Sequence, residues 1–294
     1  MGALLAVASA LSYGLSDFVG GVVSRRAPFV RVALLGQVGG LVSVSAVAPF
    51  VPGSVPPGGD LAWGAVSGVG TGVAMTFLFR GMSRGAMSVV VPVSSVGGAA
   101  LPVLVGTALL GDRPGPRTWL GVAVALPALW AVSRGSTGPA ARADTAAVRD
   151  GLVAGVGIAA QYLALAQAGP ASGLWPVASG RVTAILAVAV IAVAYHRPRS
   201  ASGSTPGALA GRVAGAVAGR VAGALVAGAL AALALICYLA ATRAQMLTVA
   251  VVLSSLYPVI PVVLGLTVLR ERLSRVQALG LVAALAGSVL IATS

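Results

Sequence analysis

The sequence predicts an all-α integral membrane protein with ten transmembrane helices arranged as two inverted five-helix repeats. Three observations carry that prediction. The composition is 58% hydrophobic and 9% charged, and a mean hydropathy of +1.00 leaves too little polar surface for a water-solvated body. Apolar windows of about 20 residues recur, the length that crosses a hydrocarbon core roughly 30 Å thick. Finally, residues 84–133 read again as residues 243–292 at a constant offset of 159. Arg84, Met87, Ser95, Pro102, Gly106, Arg113 and Gly121 meet Arg243, Met246, Ser254, Pro261, Gly265, Arg272 and Gly280, while Asp112 meets Glu271. The earlier parts of the halves match more weakly, through Gly2 with Gly151, Tyr13 with Tyr162, and Arg31 with Arg181.

The windows are bounded by arginine, proline or polar runs. In the first repeat, residues 1–133, they lie at 3–23, 32–51, 61–80, 86–110 and 116–133. Window 3–23 contains Ala8-Ser9-Ala10, which resembles a signal cleavage site, but it lacks a basic leader and more spans follow it. A polar linker, 134–150, joins the halves. The second repeat, 151–294, holds windows at 151–169, 174–195, 214–240, 246–269 and 276–293. An odd number of crossings per half makes the second half enter from the opposite face, hence the inversion. Unbroken apolar runs of this length exclude an outer-membrane barrel, whose strands alternate over about ten residues.

Small residues punctuate the windows. Gly36/Gly40, Gly64/Gly68/Gly72 and Gly151/Gly155 stand four apart, a spacing that lets helix backbones approach closely. A longer ladder, Gly207 to Gly223, reads either as a packing seam or as a low-complexity expansion of a loop end, the reading we prefer. Pro92, Pro102, Pro258 and Pro261 are expected to bend helices four and nine, freeing backbone carbonyls that are tolerated only against protein or a wet cavity.

Charge and cysteine content exclude several classes. The net charge is +13, yet all 19 basic residues are Arg and they sit at helix ends, which points to membrane topology and anionic lipid as a partner and not to nucleic acid. Connections after odd-numbered helices carry thirteen arginines, among them Arg25, Arg26, Arg80, Arg84, Arg270, Arg272 and Arg275, against Arg113, Arg117 and Arg243 on the other face. The positive-inside rule then places the richer face in the cytoplasm and both termini outside, in the plasma membrane of a bacterium. One Cys, Cys237, and one His, His196, supply no disulfide and no metal set, and no cofactor is expected.

Asp17 is the acid placed deepest inside a window. An Asp at a helix centre costs on the order of 2.5–3.5 kcal/mol on insertion scales, so it is retained where it works. A protonatable acid in a cavity can exchange a proton for a substrate cation or ammonium group. The alternative is that Asp17 reaches Arg25 or Arg26, two turns away. Other polar or aromatic positions inside windows are Tyr13, Gln37, Thr71, Ser94, Ser95, Gln161, Tyr162, Tyr238, Ser254, Ser255 and Tyr257. The repeat makes Tyr13/Tyr162 and Ser95/Ser254 candidates to face each other across a pseudo-two-fold axis. Arg31 and Arg181 read as side chains snorkelling to the interface, with contact to a substrate carboxylate as the alternative.

The stretch Tyr13-Gly14-Leu15-Ser16-Asp17-Phe18 is similar to the aromatic-Gly-x-x-Asn-Phe segment of the drug/metabolite transporter superfamily. The acidic-Arg pairs Asp112-Arg113 and Glu271-Arg272, each followed by a glycine in the next helix at Gly121 and Gly280, also resemble that superfamily's ten-helix, two-EamA-repeat type. Asp17 stands where many relatives carry Asn. The resemblance implies that helices one, three, four, six, eight and nine surround a central cavity, and that the protein moves amino acids, other small metabolites or drugs, often outward. It places Tyr13, Asp17, Thr71, Met75, Ser94, Ser95, Gln161, Tyr162, Tyr238, Ser254, Ser255 and Tyr257 at the substrate, with Asp17 as the proton or cation handle. The competing classes fare poorly: a membrane enzyme acting on phosphates needs clustered acids for Mg²⁺, and six scattered acids build none. The permease subunit of an ATP-driven importer needs a cytoplasmic coupling element, and the connections here are short and rich in Ala and Gly.

Overall fold

The computed structural model describes residues 1–51, 53, 56–110, 113–133, 139–195, 207–244, 253–254 and 256–292. Among these residues there are ten α-helices and no strand: α1 Gly2–Ser24, α2 Phe29–Val47, α3 Gly58–Arg84, α4 Met87–Val105, α5 Pro116–Ser133, α6 Pro139–Leu165, α7 Trp175–Ala194, α8 Gly207–Ala244, α9 Val259–Thr267 and α10 Arg275–Ala292. Helices are the natural solution here, because the bilayer core offers no water to satisfy backbone groups that the chain leaves unpaired.

The all-α class holds, but ten equal crossings do not. Seven of the described helices are long and apolar enough to span a membrane, while α5 and α10 are shorter apolar helices. The main departure is the window at 246–269. Part of it lies outside the described residues; Leu253 and Ser254 are helical, Leu256–Pro258 form a turn, and α9 begins after that turn at Val259. Proline explains the late start: Pro258 is the N-cap of α9 and Pro261 its third residue, positions whose amides would have no partner within a helix anyway. By contrast α4 runs through Pro92 and Pro102 and then widens into a π-helical turn at Gly106–Leu110. The segment read as a linker is also partly helical, since α6 starts at Pro139 with proline in the favoured first position.

The halves interlock. α1 packs on α8 and α6 on α3; α2 packs on α8 and α7 on α3; α4 packs on α6 and α9 on α1; α5 pairs with α10 and α2 with α7. The directions match as well. α1 runs antiparallel to α8, with Ala6 at Ala241 and Ser16 at Ala227. α3 runs antiparallel to α6, with Gly70 at Gly157 and Gly81 at Ala147.

Glycine makes these approaches possible. A Cβ at Gly228 in α8 would fall on the carbonyl oxygen of Gly36 in α2, and Cβ atoms at Gly64 and Gly68 in α3 would fall on the carbonyls of Pro176 and Gly180 in α7. The repeat-equivalent Gly121 and Gly280 serve the α5–α10 seam, where an added Cβ would stand 2.9 Å from the Gly287 carbonyl and 3.0 Å from that of Ala128. The ladder behaves differently: Gly215 and Gly219 face open space, and close packing begins at Gly223, where an added Cβ would stand 2.8 Å from the Val23 side chain. The outer surface carries large exposed apolar side chains, such as Leu4, Val42, Leu120, Val190 and Leu279, as a lipid-facing wall requires.

Gly228→Ala is expected to cost about 1–3 kcal/mol through overpacking and to lower the detergent melting temperature. Gly219→Ala should stay within about 0.5 kcal/mol of wild type. Equal losses at both positions would contradict the packing described.

Candidate functional site

Tyr13 and Asp17 stand four residues apart on one face of α1, so their side chains leave the helix together. That face meets α6, where Gln161 and Tyr162 project, α3 with Met75 and Leu78, α4 with Ser94, and Tyr257 just before α9. These residues, with Ile158, line a cavity of about 10 Å³. A second cavity, of about 40 Å³, adjoins it and shares Tyr13, Gln161 and Tyr162. Its remaining wall is Ser67, Thr71, Leu165, Val177, Gly180, Arg181 and Leu235.

A water needs at least about 10 Å³ of such space, so the two cavities hold a few waters between them. Small-molecule sites run to hundreds of Å³. Each of these two cavities is, as it stands, smaller than a metabolite needs.

Asp17 is 2% exposed. Among the described residues no basic side chain lies within salt-bridge distance of it. The alternative in which it reaches Arg25 does not occur, because Arg25 is bound to Glu271 and to the carbonyls of Met82 and Gly85.

Most of the expected site residues converge. Tyr13, Asp17, Met75, Ser94, Gln161, Tyr162 and Tyr257 meet in the first cavity, and Thr71 joins in the second. Tyr13 and Tyr257 stack at a tilt, ring centroids 5.2 Å apart. The repeat-related Tyr13 and Tyr162 do come together, whereas Ser95 and Ser254 lie off the cavity. Ser95 donates to the Pro92 carbonyl at 3.0 Å and Ser254 to that of Ala6 at 3.4 Å. Tyr238 is half-buried on α8 away from the cavity wall, and Ser255 lies outside the described residues.

Arg181 is the residue that sequence reasoning misplaced. It does not snorkel: it is 7% exposed and lines the second cavity, its Nη1 donating to Gln37 Oε1 at 2.7 Å. Its depth was the available signal, six residues inside α7 from Trp175. Gly40 leaves it room, since a Cβ there would stand 3.3 Å from the guanidinium carbon.

One end of the molecule is closed by a polar latch. Glu271, between α9 and α10, accepts hydrogen bonds from the Met87 amide at 2.9 Å, the Ser88 amide at 2.9 Å, the Ser88 hydroxyl at 2.7 Å, and Arg25. It thus joins the end of α1 to the N-terminus of α4, where the helix dipole favours a carboxylate. Arg270 turns the chain into position with φ at 53°, the left-handed region that non-glycine residues rarely enter. Burial pushes the Glu271 carboxyl up, but the Ser88 and Met87 amides and Arg25 outweigh it, so its pKa lies below the ordinary glutamate value. Beside the latch, Asp150 on α6 pairs with Arg84 at 3.2 Å and Arg80 at 3.6 Å. Arg80 lies 4.7 Å from the Tyr195 ring centre at the end of α7.

Apolar spans that surround small polar cavities, with ion pairs at one end of the helices, define a multi-pass membrane protein. The model of the EamA-like transporter family matches residues 1–134 and 151–293. The chain belongs to that family, and is a membrane transporter of small molecules and not an enzyme. No curated protein matches the sequence significantly. The fold is similar to a solved crystal structure at 16% identity with a TM-score of 0.54, over 98% of this chain and 95% of that one.

Glu271→Ala is expected to cost about 2–3 kcal/mol, because it strands Arg25 and two helix-terminal amides. The pH sign follows from the lowered pKa: the latch's contribution is complete above the ordinary glutamate range and is lost as pH falls through the folded-state value. Thermal melts from neutral to acid pH should show a steeper acid loss in wild type than in Glu271→Ala. Parallel curves would remove Glu271 from the latch.

Proposed function

We propose that the protein is a secondary transporter that exports small amino-acid-like or amphipathic cationic metabolites, with Asp17 as the proton-coupling group. One observation carries this reading: a buried carboxyl lines the cavity wall and has no basic partner among the described residues. A buried acid free of ion pairing can carry either a proton or a substrate cation, and exchange between the two couples their movements.

The substrate-binding set is Tyr13, Asp17, Thr71, Met75, Ser94, Ser95, Gln161, Tyr162, Tyr238, Ser254, Ser255 and Tyr257. Its cavity-lining members supply hydroxyl, amide and aromatic surface to a small ligand. Transport proceeds by alternating access, with residues 1–133 and 151–294 rocking as inverted repeats about a midplane site. The exchange of packing partners between the halves, with matching helix directions, supports that relation. The arginine-rich end faces the cytoplasm of a bacterial cell and both termini lie outside, next to anionic lipid. The latch at Glu271 belongs to that end and closes the inner side of the cavity in this conformation.

The test uses purified protein in sealed proteoliposomes with an internal pH dye, challenged with amino acids, small metabolites and cationic drugs. Saturable substrate-dependent proton flux is expected in wild type, with a loss of at least tenfold in Asp17→Asn. Equal flux in the two proteins would reduce Asp17 to a packing residue.

A further inference from the structure

Two side chains of opposite charge are buried in the adjoining cavities without an ionic partner. Asp17 lines the first and Arg181 the second, and among the described residues neither appears in an ion pair. Tyr13, Gln161 and Tyr162 stand in both walls, between the two charges. We infer that Arg181, steadied by Gln37, is the carboxylate-binding end of the transport site, so that the carried molecule is a compact zwitterion with its ammonium at Asp17.

The contacts bring both charges close to one stretch of α8. The Arg181 guanidinium lies against Gly40 of α2, whose Cβ position is also 3.4 Å from the Gly228 carbonyl of α8. The preceding carbonyl, that of Ala227, accepts the hydroxyl of Ser16 at 2.7 Å, and Ser16 precedes Asp17. The two groups thus line adjoining cavities whose common wall is Tyr13, Gln161 and Tyr162, as in carriers whose sites form between repeats.

The chemistry of Arg181 selects the ligand. A guanidinium has five N–H donors in a planar fork that matches a carboxylate in two parallel bonds. Gln37 takes one donor with a neutral amide oxygen, which orients the fork and leaves its charge uncompensated. Charged groups buried among membrane helices are held by partners or by a wet cavity, and an unneutralised pair of them is costly. A zwitterion neutralises both groups in one binding event. An amine would leave Arg181 uncompensated, and a simple carboxylate would leave Asp17 so.

This inference rests on the proposed role of Asp17, and the experiment separates the two. Proteoliposomes of the full chain are offered a radiolabelled mixture of L-amino acids and, in parallel, the same amino acids as C-terminal amides, which keep the ammonium and lose the carboxylate. Wild type is expected to carry the acids at least tenfold faster than the amides. In Arg181→Gln that preference should fall at least tenfold, and Arg181→Lys should lie between. Amides carried as fast as acids by wild type, or acids not carried at all, would overturn the inference without any variant, so a misfolded Arg181→Gln leaves it falsifiable. Arg181→Gln lowering both fluxes with the preference intact would make Arg181 a strut between α2 and α7 only. If Asp17→Asn keeps its coupled proton flux, the proposed function fails; if it loses that flux while amides remain good substrates, only the role of Arg181 fails.

Discussion

Every polar group in this molecule answers to the same constraint: inside a bilayer, backbone and charge must find partners within the protein. Helix formation satisfies the backbone internally, and what remains is to bring helices close enough to hide the few polar side chains from lipid. The chain does this with small residues. Gly36 against Gly228, and Gly68 against Gly180, let backbones touch across the halves. The interior that results is narrow, and its polar side chains have few places to go. Asp17, Arg181, Gln37, Tyr13, Gln161 and Tyr162 collect around the same small space.

The two kinds of ionic group in the protein are treated differently, and the contrast separates structure from function. Glu271 and Asp150 each meet arginine near one end of the molecule, and Glu271 is further saturated by two helix-terminal amides. Such groups gain from fixed, fully satisfied geometry. Asp17 and Arg181 are the opposite case, deeply buried yet without an opposite charge in salt-bridge reach among the described residues. A fold that can saturate Glu271 with four donors has the means to pair an acid, so charges left open in a cavity wall point to a mobile partner.

Much of this was readable from residue order. The lipid environment, the all-α class and the duplication follow from hydropathy and from one offset, because they depend on long, redundant patterns. The convergence of Tyr13, Asp17 and Gln161 was legible too, since a polar side chain in an apolar helix has little choice but to turn inward, whereas Tyr162 reaches the cavity wall while remaining 46% exposed. Elsewhere local signals were ambiguous. The window at 246–269 is mostly apolar, yet a turn at Leu256–Pro258 interrupts it, with Pro258 capping α9 at Val259. Whether Arg181 snorkels or turns inward depends on the space left by Gly40 on another helix, which no window along α7 reveals. Ser95 shares its repeat position with Ser254, but each hydroxyl is claimed by a nearby carbonyl, an outcome set by rotamer and not by spacing.

The small size of the two cavities has a consequence for proton movement. Protons cross membranes along unbroken files of water, and spaces of about 10 and 40 Å³ hold too few molecules to bridge a hydrocarbon layer roughly 30 Å thick. By themselves these two spaces make no water file across the bilayer, so a proton that leaves Asp17 through them needs further room to open.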